Sequence, residues 1–413
     1  MLVCYMKICD NYLFVHCFFL FQWLKIVFLV VIALVSLSTT AKVTYNVTSF
    51  GAKGDGNTDS TKAFLSAWAS ACNSTKTAVI YVPAGTYLLA TAVTFAGERC
   101  QSSSITIRIY GTLVAPFNYD AIGNSGDWIR FHRVNHLTIS GGTLDARGGS
   151  LWSCKTSGNS CPSGATTLGI YNSKNIVISG LKSVNSQMFH ILLDACINAK
   201  LQGVTISASG ASPNTDGIHL ISSMGVTILN SKIATGDDCI SIGPGNSNLW
   251  IETVACGPGH GISIGSLGWD LDEPGVENIT VTMATFRGTQ NGVRIKTWAR
   301  ASNGFVTSAT FQHVTMVNVS NPIIIEQRYC PDKNNCPNQV SGVKIRDVVY
   351  EDIHGTSATQ VAVKLDCSQG NPCTGLRLKD VNLNYVRGGK PAVSSCAYAA
   401  GTASGILHPT SCL

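Results

Sequence analysis

The chain carries, within residues 214–296, four short polar clusters in the order Asn214-Thr-Asp216, Gly236-Asp-Asp238, Gly259-His-Gly261 and Arg294-Ile-Lys296. Between them lie β-branched runs such as Gly225-Val-Thr-Ile-Leu229, bounded by turn residues, which is typical of buried strands. About 22 residues separate Asp216 from Asp238, and about 22 separate Asp238 from His260, a length typical of solenoid repeats. The spacing predicts a right-handed parallel β-helix, in which equivalent positions of successive coils stack about 4.8 Å apart.

Asp216, Asp237 and Asp238 would then lie with His260 on one wall of this solenoid. Like charges in one pocket raise the pKa of at least one group, which leaves a proton available for catalysis. Inverting glycoside hydrolysis needs a proton donor and a water-activating carboxylate, about 6.5 to 9.5 Å apart. A separation of one or two coils fits this distance. A single Asp is commonly only a turn residue, but four clusters in register favour a catalytic site.

The clusters in this order resemble the signature of the polygalacturonases, glycoside hydrolase family 28. Three longer strings resemble the plant branch in particular: Ser212-Pro-Asn-Thr-Asp-Gly-Ile-His219, Thr235-Gly-Asp-Asp-Cys-Ile-Ser-Ile-Gly243 and Cys256-Gly-Pro-Gly-His-Gly-Ile-Ser-Ile-Gly265. The resemblance extends from about Tyr45 to the C-terminus. It implies hydrolysis of α-1,4-linked galacturonan in pectin by direct displacement with inversion, without a metal or another cofactor.

The resemblance also implies roles for individual residues. Asp237 would be the general acid, while Asp216 and Asp238 would hold and deprotonate the attacking water. His260 would hydrogen-bond the acid and keep it in its working ionisation state. The residues alone do not assign the proton to one carboxylate. A purely structural role is the default reading for His190, His219, His313 and His354.

Arg294 and Lys296 alternate around Ile295, so on a strand they share one face while Ile295 enters the core. A galacturonate carboxylate would be a suitable ligand for such a cation pair, although a solvated basic face is the alternative. The resemblance adds Asn214 and Tyr329 to the substrate contacts. Glu326, Arg328 and the acidic insert Gly268-Trp-Asp-Leu-Asp-Glu-Pro274 depart from the plant pattern, which bears on substrate preference.

Composition agrees with one large domain, residues 42–413. The chain has 413 residues, of which 40 are Gly and only 13% are charged, which suits a solenoid rich in turns and argues against disorder. A net charge of +6 without a Lys/Arg run is not a nucleic-acid footprint. This net charge is compatible with an acidic polysaccharide as the binding partner. The protein is predicted to be a monomer.

Residues 1–41 are predicted to be a signal peptide. Lys25 precedes the apolar run Ile26-Val-Phe-Leu-Val-Val-Ile-Ala-Leu-Val-Ser-Leu37, and small residues lead to cleavage after Ala41. The apolar segment from Tyr12 to Leu37 is long enough to span a bilayer, so an uncleaved signal anchor is the alternative. Either reading delivers the domain to the secretory pathway, and the first predicts a secreted protein with no membrane attachment.

Thirteen cysteines follow this leader, which in an oxidising compartment predicts six bridges between sequence neighbours and one free thiol. A Cys239–Cys256 bridge would brace the predicted active wall. Cys196, within an apolar run, is the candidate for the free thiol. Zinc is disfavoured because no Cys-x2-Cys pair is present.

A helix is predicted near the start of the domain, where Ala63, Phe64, Ala67, Trp68 and Ala71 recur at helical spacing. A β-helix needs such a cover because an open end exposes strand edges and apolar core. Glycosylation sequons begin at four positions, Asn46, Asn73, Asn278 and Asn318, of which the last two are equally suited to solenoid corners.

Two alternatives to a hydrolase remain open from the sequence. A pectate-lyase-like enzyme would share the β-helix but eliminate rather than hydrolyse, with bound calcium and an arginine base. A pectin-binding β-helix protein of the cell wall would not catalyse at all. Replacement of Asp237 by Asn discriminates the binder from the hydrolase, because only the hydrolase would lose turnover.

Overall fold

Short parallel strands, bounded by Gly, Asn and Ser, make up most of the chain. The computed structural model describes residues 42–413 apart from 332–334 and 388, together with Trp23. The predicted signal peptide or anchor, residues 1–41, therefore lies outside the described residues except for Trp23. Val43–Leu413 forms one compact unit.

The strands are β1 Val43–Asn46, β2 Asp55–Asp59, β3 Ala78–Val82, β4 Thr86–Leu88, β5 Val93–Ala96, β6 Ile105–Ile109, β7 Thr112–Val114, β8 Asp127–His132, β9 Asn135–Ser140, β10 Thr143–Asp145, β11 Thr166–Tyr171, β12 Lys174–Ser179, β13 Lys182–Val184, β14 Ile191–Asp194, β15 Ile197–Gln202, β16 Thr205–Ser207, β17 Ile218–Ile221, β18 Met224–Ala234, β19 Ile240–Ile242, β20 Ser247–Cys256, β21 Ile262–Leu267, β22 Val276–Thr282, β23 Thr285–Arg287, β24 Asn291–Trp298, β25 Phe305–Val319, β26 Asn321–Tyr329, β27 Lys344–Ser357, β28 Val361–Asp366, β29 Cys373–Tyr385, β30 Val393–Ala397 and β31 Ala399–His408. The helices are a 3-10 turn Val47–Phe50 and the α-helices Thr61–Cys72, Asp120–Gly123 and Gly149–Thr156.

These strands stack into three parallel ladders, as the repeat spacing predicts. One ladder begins with β1, β3, β6 and β9, and a second with β2, β4, β7 and β10. Longer strands such as β18 and β25 belong to both, so these two ladders form one 20-stranded sheet. The third ladder is a separate 11-stranded sheet that runs from β5 to β30. The fold is thus a right-handed parallel β-helix, which confirms the predicted class.

The third ladder has a fully apolar inner row. Ile218, Ile240, Ile262 and Val293 are register partners on successive strands, and each is completely buried. Burial of one such side chain contributes about 1.5 to 3 kcal/mol. Because side chains alternate along a strand, the residues that follow this inner row, His219, Ser241, Ser263 and Arg294, lie on the outward face.

The predicted helix is present as Thr61–Cys72 and packs against the first coils of the β-helix. Asp59, the residue before the N-cap Ser60, accepts a hydrogen bond at Oδ1 from Thr61 N at 2.9 Å. Trp68 lies 5.2 Å from Phe95 and 5.5 Å from Phe131 between ring centroids. The aromatic side chains therefore cover the apolar end of the solenoid.

All six predicted disulfides connect sequence neighbours: Cys72–Cys100, Cys154–Cys161, Cys239–Cys256, Cys330–Cys336, Cys367–Cys373 and Cys396–Cys412. Cys196 is the buried free thiol among the described residues, as predicted. Burial raises its pKa to about 11, so the thiol stays protonated. Across the described residues, no helix has the length and apolar character required to cross a membrane.

Asn278 and Asn318 are corner residues in the left-handed backbone region, with φ of 54° at each. Asn278 Nδ2 also donates to Asn248 Oδ1 on the preceding coil at 2.6 Å. Asn278 and Asn318 are exposed, as is Asn73, which lies in the turn after the capping helix. The corner reading that the sequence left open is therefore the one the backbone supports at Asn278 and Asn318.

Candidate active site

Three coils present a polar residue at the same place, two residues before a strand of the third ladder. Asp216 precedes β17, Asp238 precedes β19 and His260 precedes β21. Asp237 lies one residue before Asp238. The strands pair in register through Ile218, Ile240 and Ile262, so the four polar side chains meet on adjoining coils, as the spacing predicted.

A glycine beside His260 is required by the next coil. Gly261 has φ of 92°, a left-handed conformation that favours Gly, and a Cβ there would clash with the backbone oxygens of Asn291 and Gly292. Asn291 Nδ2 in turn donates to the backbone oxygen of His260 at 3.0 Å. The backbone of the following coil thus approaches this glycine closely.

Asp216 is buried and held by side chains of two strands. Ser241 Oγ donates to Asp216 Oδ2 at 2.5 Å, and His219 Nδ1 lies 3.3 Å from the same oxygen. The His219 ring stacks on Phe189, with centroids 4.3 Å apart. Burial raises the pKa of Asp216; the His219 hydrogen bond lowers it, while the charges of Asp237 and Asp238 raise it further. This carboxyl therefore keeps its proton to a higher pH than an ordinary Asp.

Asp238 is also buried but has the opposite ionisation tendency. Its Oδ1 accepts from Ser263 Oγ at 2.8 Å and from Arg294 Nη2 at 3.0 Å, and its Oδ2 accepts from Lys296 Nζ at 2.8 Å. Burial opposes ionisation, but Lys296 and Arg294 together outweigh it and hold the pKa of Asp238 below its usual value. Asp238 is therefore the carboxylate most strongly held in its ionised form.

Asp237 is the most accessible of the three carboxyl groups. Its side chain is 20% exposed, compared with 10% for Asp216 and 1% for Asp238. His260 Nδ1 lies 3.0 Å from Asp237 Oδ1, and Asp238 N donates to the same oxygen at 2.8 Å. Asp237 and His260 line an open groove on this face. Among the three carboxyl groups, Asp237 thus has the best access to a bound polymer.

The two cations of the fourth cluster lie where strand alternation places them. Ile295 is completely buried, and Arg294 and Lys296 share the opposite face. Both cations are themselves buried and bonded to Asp238, and Arg294 Nη1 lies 3.4 Å from Glu326 Oε1. Arg294 and Lys296 therefore do not form a solvated basic face. The two cations already have an anionic partner within the chain, which is Asp238.

The groove is predominantly polar. Its lining comprises Asn214, Asp237, His260, Gln290, Asn291, Arg294, Asn321, Ile324, Glu326, Arg328, Tyr329, Cys330, Pro331 and Lys364. Tyr329 lies beside the cations, with Lys296 Nζ 5.1 Å from its ring centroid. Of the predicted substrate contacts, Asn214, Arg294 and Tyr329 line the groove, and Lys296 lies behind them on Asp238.

Asp237, Asp238 and His260 are also the described residues whose donor atoms come close enough to share a metal ion, within 4.8 Å of one another. Both oxygens of Asp238, however, accept hydrogen bonds from the cations Arg294 and Lys296. A divalent ion at this place would be repelled by both side chains. The donor set is therefore a poor match for a metal.

Three residues that hydrogen-bond the carboxyl groups of the site were not predicted from the sequence: His219, Ser241 and Ser263. They occupy one outward row of the third ladder, since His219 pairs with Ser241 and Ser241 with Ser263, and Arg294 follows. Each serine hydrogen-bonds a carboxylate of the preceding coil. The sequence contained the information needed to find them, because strand alternation places all three on the face opposite Ile218, Ile240 and Ile262. Among the hydrogen bonds and ion pairs of the described residues, none connects His190, His313 or His354 to Asp216, Asp237 or Asp238. His190 contacts Ser183, and His313 and His354 contact Asp352.

Carboxyl groups on the wall of an open groove are the arrangement that glycoside hydrolysis requires. The model of the Glycosyl hydrolases family 28 matches residues 72–406, and this chain belongs to that family. It is 62% identical to a polygalacturonase of Prunus persica, over 93% of this chain and 97% of the relative. It is 44% identical to an exopolygalacturonase of Platanus acerifolia, over 88% and 96%.

Among solved structures, the endo-xylogalacturonan hydrolase of Aspergillus tubingensis has a TM-score of 0.73 and 25% identity, covering 88% of this chain and 100% of that chain. Membership of a glycosyl hydrolase family supports hydrolysis. It does not support the lyase or the non-catalytic binder.

Proposed function

We propose that this enzyme hydrolyses α-1,4-galacturonosidic bonds of polygalacturonan in pectin, with inversion at the anomeric carbon. The observation that carries the proposal is the set of three carboxyl groups on adjoining coils, of which Asp237 is accessible from the groove and Asp238 is held ionised. Inverting hydrolysis needs an accessible proton donor and an ionised carboxylate that activates water. The polygalacturonase of Prunus persica supports the substrate class.

Asp237 is proposed as the general acid because it has access to the groove and His260 beside it. Asp238 and Asp216 are proposed to hold and deprotonate the attacking water. Asp238 is suited to this because Arg294 and Lys296 keep it ionised, and Asp216 is suited because its raised pKa makes it the better proton acceptor once it is ionised. Arg294, Lys296, Tyr329 and Asn214 are proposed to contact the substrate.

The domain, residues 42–413, is proposed to act as a secreted monomer after removal of residues 1–41. Six disulfides support an oxidising extracellular compartment such as the cell wall. N-glycosylation at the exposed Asn73-Ser-Thr sequon is part of this proposal. Mass analysis of the secreted protein tests the new N-terminus, the glycan and the oligomeric state together.

The test of the reaction is replacement of Asp237 by Asn. We expect kcat on oligogalacturonides to fall by about 10² to 10⁴ while substrate binding is retained, because Asn cannot donate the proton. The matched control is Asp352→Asn, since Asp352 pairs with His313 at 2.8 Å on the surface of the 20-stranded sheet. This control should keep full activity.

Product analysis with wild-type enzyme completes the test. NMR of the first product should show the anomer opposite to that of the substrate, and no unsaturated, UV-absorbing product should form. Retained turnover in the Asp237→Asn variant would refute the acid assignment. A UV-absorbing product that disappears with chelator would refute hydrolysis and support a lyase.

A further inference from the structure

Two cations outside the four sequence clusters line the groove beyond the carboxylates. Arg328 lies near the end of β26 and Lys364 lies on β28, and both line the same groove as Asp237. Lys364 is in register with Ile324, which is in register with Arg294, so Lys364 lies two strands beyond Arg294 in the outward row. The groove therefore continues along the solenoid axis with positively charged side chains.

These cations are accessible. The side chain of Arg328 is 68% exposed and that of Lys364 is 43% exposed, compared with 8% for Arg294. Exposed cations bind an anion from solvent without the cost of breaking a buried ion pair. Arg328 and Lys364 are thus better placed than Arg294 to take a new anionic ligand.

Among the described residues, the charges of Arg328 and Lys364 are only partly balanced. Both cations share one carboxylate, Asp366, with Arg328 Nη2 2.7 Å from Oδ1 and Lys364 Nζ 3.9 Å from Oδ2. The contact from Lys364 is longer than a hydrogen bond. The nearby Glu326 contacts Arg294 instead. Two positive charges against one negative charge, counted over the described residues, give this part of the groove an excess of positive charge.

We propose that Arg328 and Lys364 form a second carboxylate-binding subsite, which takes the uronate group of a sugar one or two units from the cleaved bond. This inference rests on the proposed function. Strands of the ladder are about 4.8 Å apart, comparable with the length of one pyranose unit in a chain, so successive sugars meet successive coils. The Arg328 guanidinium offers a planar fork to a carboxylate, and Lys364 adds a point charge.

The subsite discriminates charged from neutral galacturonan. A methyl-esterified sugar lacks the anionic group, so it gains nothing from Arg328 or Lys364. Screening by salt should weaken the same interaction because both cations are exposed. Enzyme with an intact subsite is therefore expected to prefer longer, de-esterified segments, and this preference should diminish at high ionic strength.

The experiment compares wild-type enzyme with Arg328→Gln and Lys364→Gln, singly and together, on galacturonate oligomers of increasing length. We expect KM for long oligomers to rise roughly threefold to fivefold for each change, with kcat and the KM of the shortest cleaved oligomer unchanged. The Lys364→Arg variant should keep the wild-type KM. Lys379→Gln is the matched control, because Lys379 pairs with Glu351 at 2.7 Å and is 52% exposed, on the 20-stranded sheet.

Two results would overturn the proposal. One is a KM in the double variant that equals that of the Lys379→Gln control for every oligomer. The other is an equal rise in KM for all lengths, which would place both residues at the cleavage site itself. Calorimetric titration of the Asp237→Asn enzyme, with and without the double change, measures binding without turnover. The subsite is therefore testable even if the proposed hydrolysis fails.

Discussion

Asp216 and Asp238 occupy equivalent positions on neighbouring coils, yet their surroundings push their pKa values in opposite directions. Each accepts a hydrogen bond from a serine of the next strand, Ser241 or Ser263. The difference comes from the remaining partners, because the His219 hydrogen bond does not offset the burial of Asp216, whereas the charges of Lys296 and Arg294 outweigh the burial of Asp238. Like positions in a repeat thus acquire different chemistry from one or two outward side chains.

Replacement of His219 by Phe should change the pH dependence of activity. The ring of Phe preserves the stacking on Phe189 but removes the hydrogen bond that lowers the pKa of Asp216. The pKa of Asp216 then rises, so Asp216 stays protonated to a higher pH and is unavailable as a base. The acid limb of the kcat/KM profile should move to higher pH, with activity on that limb reduced about fivefold to tenfold and the plateau preserved.

The control for this change is His354→Phe, because His354 is exposed and pairs with Asp352. Its pH profile should match that of the wild-type enzyme. A uniform loss at every pH in the His219→Phe enzyme would instead indicate a structural role for His219. Steady-state kinetics over a pH series, with circular dichroism to verify folding, make the distinction.

At the scale of elements, the Cys239–Cys256 bridge connects the beginning of β19 to the end of β20. Cys239 follows Asp238 directly, and Cys256 precedes the turn that carries His260. Both cysteines are buried, so the bridge lies inside the coil that presents these side chains. Its loss should affect the local geometry of the site as well as the stability of the fold.

Replacement of both cysteines by Ala is expected to lower the free energy of unfolding by about 3 kcal/mol, from the 17-residue separation and the entropy of an open unfolded chain. It should also lower kcat, because Asp238 and His260 lose their shared support. The matched pair Cys154→Ala and Cys161→Ala, with a separation of 7, removes a bridge remote from the groove lining. That variant should keep kcat. Denaturant unfolding and kinetics at 25 °C check both values, and equal kcat in the two variants would contradict the expectation.

At the scale of the whole molecule, each coil contacts only its neighbours, so the ends and the active groove are energetically separable. The capping helix packs on the first coils, whereas the site uses β17 to β28. Trp68 is the largest side chain of this cap and is buried against Phe95 and Phe131. Its indole Nε1 also donates to the backbone oxygen of Ala96 at 3.0 Å.

The Trp68→Ala variant is therefore expected to lose about 3 to 5 kcal/mol of unfolding free energy while its kcat and KM stay at the wild-type values below the unfolding transition. Leu65→Ala on the same helix is the control, because Leu65 is 37% exposed and should change stability little. Thermal unfolding and kinetics on the same samples provide the measurement. A fall in kcat that accompanies the loss of stability would show that the cap and the groove are coupled.

Much of this molecule is determined by local sequence pattern. The alternation around Ile295, the repeat of about 22 residues, the capping helix and the pairing of neighbouring cysteines each depend on residues close together in the chain, where backbone periodicity decides which side chains face inward. For that reason the fold, the six disulfides and the meeting of Asp216, Asp237, Asp238 and His260 were all predictable.

The ionisation of the site depends on tertiary structure alone. Asp238 bonds to Arg294 and Lys296 across separations of 56 and 58 residues, and no local pattern specifies that both cations point at one carboxylate. The same holds for the burial of the cations, for His219 beside Asp216, and for the accessibility of Arg328 and Lys364. The physical reason is that charge interactions and burial depend on distances between coils, which only stacking of the completed solenoid establishes.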